Sequence, residues 1–176
     1  MYLVSIYFDE KTDERIRKYI NQAAKRNGNT YMIDGKVPPH ITISAFETRQ
    51  EDAAVRMLAR AADGMKSGAI SWASVGAFFP GVIYLSPVLN EYLYELSLKV
   101  YAAVSEIQDV RISKMYRPLQ WMPHTTIAKK LEREEMLKAF QVMQEQFGMF
   151  TGQAVSIGLA RTNPYEDLVR IELRKE

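Results

Sequence analysis

The chain has 176 residues, 47% hydrophobic and 25% charged, enough for one medium domain with its own core. Its net charge of +2, from 23 basic and 21 acidic residues, excludes a protein that lives by non-specific nucleic-acid binding and leaves room only for a local basic patch. The absence of cysteine removes disulfides, thiolate nucleophiles and cysteine metal sites.

Such a chain fits a reducing compartment, and a cytoplasmic location is expected. The first residues turn acidic at Asp9-Glu10 without a basic stretch before them, so no signal peptide is expected. No apolar run approaches the ~20 residues of a membrane span.

Residues 2–8, Tyr-Leu-Val-Ser-Ile-Tyr-Phe, are β-branched and aromatic and predict a strand. Thr12, followed by Asp13 and Glu14, reads as a helix start with an acidic first turn. Ile16, Tyr19, Ile20, Ala23 and Ala24 keep helical spacing up to Gly28. Residues 28–38 read as a loop ending at Pro38-Pro39, before a strand over about 40–46. Thr48 and Glu51 form a capping-box pattern, and Ala54, Leu58, Ala61 and Met65 continue a helix until Gly68. Residues 69–79 and 82–86 predict two strands joined at Pro80-Gly81. Leu93, Leu96, Val100, Val104 and Ile107 mark a helix capped by Asn90. A longer connection, 109–120, leads to another strand. Met136, Ala139, Phe140, Met143 and Phe147 mark the next helix, and 152–161 and 167–174 predict closing strands.

One pattern occurs twice in this order. Pro39-His40-Ile41-Thr42-Ile43 returns as Pro123-His124-Thr125-Thr126-Ile127, and these are the two histidines of the chain. The same offset of 84 pairs Met65 with Met149, Gly68 with Gly152 and Pro80 with Pro164, so structural punctuation repeats as well. Each repeat reads helix, His-x-Thr strand, helix, strand, strand. The expectation is one bilobal domain, with repeat one over about 1–88 and repeat two over about 89–176. Its fold class would be α+β, a duplicated fold in which two antiparallel sheets line a central groove and helices pack outside.

Alternate residues of a strand share a face. His40 and Thr42 therefore point one way, with Ile41 and Ile43 behind, and His124 and Thr126 do the same. Two imidazoles across a groove can act as base and acid in one displacement. Two hydroxyls on the same face can hydrogen-bond the non-reacting oxygens of a tetrahedral anion. A phosphodiester matches that set. No acidic residue lies close to either motif, so neither a metal nor any other cofactor is expected.

Two His-x-Thr motifs at half-chain spacing resemble the 2H phosphoesterase superfamily, within it the bacterial 2′-5′ RNA ligase-like and cyclic phosphodiesterase proteins. The resemblance runs through the repeat over essentially the whole chain. It implies that His40 and His124 are the acid–base pair and that Thr42 and Thr126 bind the phosphate. It also implies 2′,3′-cyclic phosphate or 2′-5′-linked substrates, with a nucleotide or RNA terminus as partner and no obligate protein partner. Relatives often carry a basic residue after the second motif, where Lys129 lies. Strict alternation turns Lys129 away from His124, so no role is expected of it.

Tyr116, Arg117 and Trp121 precede the second motif and can stack on or pair with a nucleotide; anchoring a loop by apolar packing would serve them equally. Arg161 and Tyr165, at the last turn, are weaker candidates. The Met-rich helix faces read as core. A second class of function is open: a module that binds a nucleotide or RNA end without turnover. Pure phosphate binding favours Arg, Lys or backbone donors over paired histidines, which weighs toward the enzyme.

Overall fold

The computed structural model describes residues 1–175. In chain order its elements are β1 (Tyr2–Phe8), α1 (Glu10–Asn27), a single turn α2 (Tyr31–Asp34), β2 (His40–Glu47), α3 (Glu51–Ala62), β3 (Gly68–Phe78) and β4 (Val82–Pro87). There follow α4 (Glu91–Ser105), β5 (Arg111–Ile112), a 3-10 turn (Lys114–Tyr116), β6 (Thr125–Lys129), α5 (Arg133–Gln146), β7 (Phe150–Arg161) and β8 (Glu166–Glu172).

Local chemistry explains most boundaries. Asp9, not Thr12, caps α1: its carboxylate accepts from the Thr12 amide at 2.9 Å, and Gly28 closes the helix at φ 81°. Asn90 caps α4 through the Leu93 amide, as expected. The Thr48–Glu51 capping box does not form. The Thr48 hydroxyl donates instead to Asp109, and α3 begins after Gln50. The box that does form joins Glu132 and Glu135 at the start of α5.

The class is α+β with antiparallel pairing, as expected. The strands run in the order β5-β2-β1-β7-β3-β4-β6, with β8 on β7. The two expected sheets are thus joined into one hydrogen-bonded sheet. The joint is β7, twelve residues long, whose first part pairs with β3 and whose later part pairs with β1 and β8. Its Ala154, Ile157 and Leu159 enter a single core with Ile6, Ile41, Ile70, Trp72, Leu85 and Ile127. Helices α1 and α5 pack together, as do α3 and α4.

Sequence halves and sheet halves do not coincide. β2 and its neighbour β1 share their half with β7 and β8, from the C-terminal part of the chain. β6 shares its half with β4 and β3, from the N-terminal part. Each half is completed by a hairpin from the other stretch of sequence.

Candidate active site

His40 opens β2 and His124 immediately precedes β6. Each is preceded by Pro, which needs no ladder donor at a strand start. The two imidazoles are anchored alike. Nδ1 of His40 lies 2.8 Å from the Pro38 carbonyl, and Nδ1 of His124 lies 2.9 Å from the Met122 carbonyl. A carbonyl only accepts, so each Nδ1 carries a proton and each Nε2 is left for chemistry.

Both rings are partly buried, and burial is the main cause holding their proton affinities below the ordinary histidine value. The backbone carbonyls act in the opposite sense. A charge on His124 further lowers His40. Arg170 lowers His40 too, and Lys129 lowers His124.

Register fixes which neighbours share their face. Tyr7 lies opposite His40 and Ser5 opposite Thr42 on β1, while Tyr84 of β4 lies opposite Thr126. The Ser5 hydroxyl donates to Thr42 Oγ1 at 3.4 Å, which leaves the Thr42 O–H able to donate elsewhere. The Tyr7 ring is 6.1 Å from His40. His124 is held edge-on by Phe78 at 4.9 Å and Tyr84 at 5.5 Å.

Lys129 corrects the expectation. In the β4–β6 pairing Tyr84 faces Thr126, Ile83 faces Ala128 and Val82 faces Lys129, so Ile127 is an extra, unpaired residue. This bulge reverses the alternation and brings Lys129 onto the face of Thr126. The same bulge occurs 84 positions earlier, at Ile43, between the Thr42 and Ser44 pairings. There the matching residue is Ala45, opposite Leu3. The repeated device therefore supplies a cation on one side only.

Trp121 is corrected as well. Its ring is buried, so it offers no stacking surface; its indole N–H donates to the Thr42 carbonyl at 2.9 Å. It ties the loop before His124 to the strand of His40. Trp72 plays the matching part from β3, donating to the Thr125 hydroxyl at 3.1 Å. Tyr116 is half-buried against the core, and burial raises its phenol. Arg117 is exposed and forms no ion pair among the described residues. Arg161 is committed to Glu51 and Glu166. Tyr165 donates to Asp167 at 2.7 Å.

Among the described residues no group of three or more His, Asp or Glu could hold a metal, and no helix is long and apolar enough to cross a membrane. An open cavity of about 480 Å³ lies at the far end of β2, lined by Met1, Glu47, Thr48, Arg49, Asp109 and Arg111. Of its two carboxylates, Asp109 is taken up by Thr48 and the Arg49 amide, which hold it below the usual carboxylate range. That accounts for it as a loop fastening.

An antiparallel α+β fold with one His-x-Thr strand in each half of its sheet matches the 2H phosphoesterase superfamily. The model of the 2′-5′ RNA ligase superfamily matches residues 11–165, and the chain belongs to that family. Among solved structures it is similar to the protein TT0787 of Thermus thermophilus, at 14% identity and TM-score 0.65, covering 99% of this chain and 98% of that one. It is also similar to E. coli LigT complexed with 3′-AMP, at 12% identity and TM-score 0.62, covering 98% and 97%. No curated protein matches its sequence.

Proposed function

We propose that this chain is a metal-independent phosphodiesterase of the 2H type acting on nucleotide or RNA termini, and that it opens 2′,3′-cyclic phosphates. One imidazole takes a proton from the attacking water at Nε2. The other, protonated, gives its Nε2 proton to the ribose oxygen that leaves, and the product is a phosphomonoester. Thr42 and Thr126 donate to the non-bridging oxygens, and Lys129 offsets their charge. The same pair serves joining when a 5′-hydroxyl attacks the cyclic phosphate in place of water: one imidazole takes the hydroxyl proton, the 3′-oxygen leaves with a proton from the other, and a 2′-5′ bond is formed. The observation that carries this reading is the matched anchoring of His40 and His124, which leaves two equivalent nitrogens for one in-line displacement. Family membership and the 3′-AMP carried by the related LigT structure support a nucleotide as the substrate.

The test is a 2′,3′-cyclic nucleotide incubated in excess chelator, with products followed by phosphorus NMR. The expected result is ring opening by the wild type and none by His40→Ala or His124→Ala. Equal turnover by those variants overturns the acid–base assignment. Tight binding without turnover, dependent on both histidines, would replace the enzyme by a nucleotide-end binding module.

A further inference from the structure

The sheet face that carries His40 holds an assembly that phosphate chemistry leaves unused. Ser5 of β1, Gly158 of β7 and Arg170 of β8 are aligned across three strands, and Tyr7 is two residues along from Ser5 on the same face. A side chain at Gly158 would come within 3.0 Å of the Tyr7 ring and of the Val169 carbonyl. With none there, Tyr7 lies across β7 and meets Arg170, whose guanidinium carbon sits 3.7 Å from the ring centroid. Asp167 fastens the same guanidinium at 2.8 Å. Because the Tyr165 hydroxyl donates to Asp167, the 3.2 Å contact between Tyr7 and Tyr165 has Tyr7 as donor. The Tyr7 and Tyr165 hydroxyls and both Asp167 oxygens are therefore committed, while the Arg170 side chain stays one-third exposed.

The two sheet halves differ here. Beside His124 the neighbouring tyrosine, Tyr84, which takes the register place of Ser5, lies over Gly76, where a side chain would come within 2.5 Å of it, and is covered by Phe78 at 4.3 Å. Beside His40 the cover is a cation already balanced by Asp167. Beyond a charge shared with Asp167, the guanidinium offers a flat, delocalised surface, laid on the Tyr7 ring and one-third exposed.

We propose that Arg170, laid on Tyr7 and pinned by Asp167, is the platform on which the nucleobase of the substrate stacks, on the His40 side of the reacting phosphate. This deepens the nucleotide reading above and rests on it. Tyr7, Asp167 and Arg170 all lie outside the segment 11–165 that the family model matches. Stacking on a planar cation is tolerant of base identity, and all four bases are expected to be accepted.

The experiment compares 2′,3′-cyclic AMP with the cyclic phosphate of 1-O-methylribose, which has no base, in wild type, Arg170→Ala and Arg170→Lys. With each variant measured at its own pH optimum, since Arg170 also acts on His40, Arg170→Ala is expected to raise KM for the cyclic nucleotide about tenfold, within the range for one lost base stack, with kcat little changed. Its KM for the base-free substrate should equal that of wild type. Arg170→Lys, which keeps charge and loses the plane, should behave like Arg170→Ala. Full rescue by Lys, or an equal loss on both substrates, overturns the platform in favour of a phosphate contact. Titration calorimetry with 3′-AMP against ribose 3-phosphate tests the platform without turnover. If no cyclic phosphate is opened but Arg170 still sets the preference for 3′-AMP, only the catalytic reading fails. If 3′-AMP binds no better than ribose 3-phosphate, the platform fails whatever the turnover.

Discussion

At the scale of the residue, the proposed chemistry rests on two nitrogens whose proton affinity is set by burial and by neighbouring charges. The base must be neutral, so kcat/KM rises with pH through its value. The acid must be protonated, so kcat/KM falls through its value. Both histidines are lowered in the free protein. The bell in kcat/KM should therefore peak below about pH 6.5, the ordinary histidine value. A bound phosphate anion opposes that lowering, so the bell in kcat should lie at higher pH. Replacing either histidine by Ala should cost about 10²–10⁴-fold, and the double variant less than the product of the two losses. Lys129→Gln removes the cation that lowers His124. One apparent value of the kcat/KM profile should then move up, and KM should rise. An unmoved profile with unchanged KM would return Lys129 to a solvated surface residue.

The element scale is governed by how the two motif strands are fastened. Both carry a bulge one residue after the motif threonine, at Ile43 and Ile127. Each bulge ends strict alternation where the strand leaves the site. Each strand is also held by a buried indole. Trp121 serves the Thr42 carbonyl, and Trp72 serves the Thr125 hydroxyl. Trp121→Phe keeps an aromatic ring but leaves the Thr42 carbonyl without its donor. It should cost about 1–3 kcal/mol in stability, the penalty for an unsatisfied buried acceptor. Because that carbonyl belongs to the strand carrying His40, kcat should fall as well, by more than Tyr116→Phe lowers it. Urea melts and steady-state kinetics on the two variants check this; equal kcat values would make Trp121 a plain core residue.

For the whole molecule the decisive feature is exchange between sequence halves. β7 supplies partners to β1, β3 and β8, and the hairpin β3–β4 completes the half that holds β6. We propose that the chain folds as one unit built from two sequence repeats. Fragments 1–88 and 89–176 made separately should not fold, since in the first β1 and β3 lack β7, and in the second β6 lacks β4. Mixed, they should recover the far-ultraviolet dichroism and amide dispersion of the intact chain. A dispersed amide spectrum from either fragment alone would show that the repeats are independent domains.

The sequence by itself determined the element pattern, the duplicated motif and the pairing of His and Thr on a face. These depend on periods of 2 and 3.6 residues and on Pro, Gly and capping residues, all of which act within a few positions. Boundaries of the expected strands followed within two residues, but the short β5, inside the expected connection 109–120, did not, and His40, Thr42, His124 and Thr126 stood out as candidates because an unusual pentad was repeated. Helix starts were less secure, since Asp9 and Thr12, or Thr48 and Gln50, offer similar caps until the neighbouring strand decides between them. Only tertiary structure decided the rest. Whether Trp121 is platform or fastening depends on what covers it, and that cover comes from the distant β2. Whether Lys129 faces the groove depends on a bulge, which exists only as a mismatch between two paired strands. Arg170 reaches Tyr7 only because Gly158, on a strand between theirs, has no side chain. Each of these is a relation between segments far apart in the chain, and no local pattern in either segment records it.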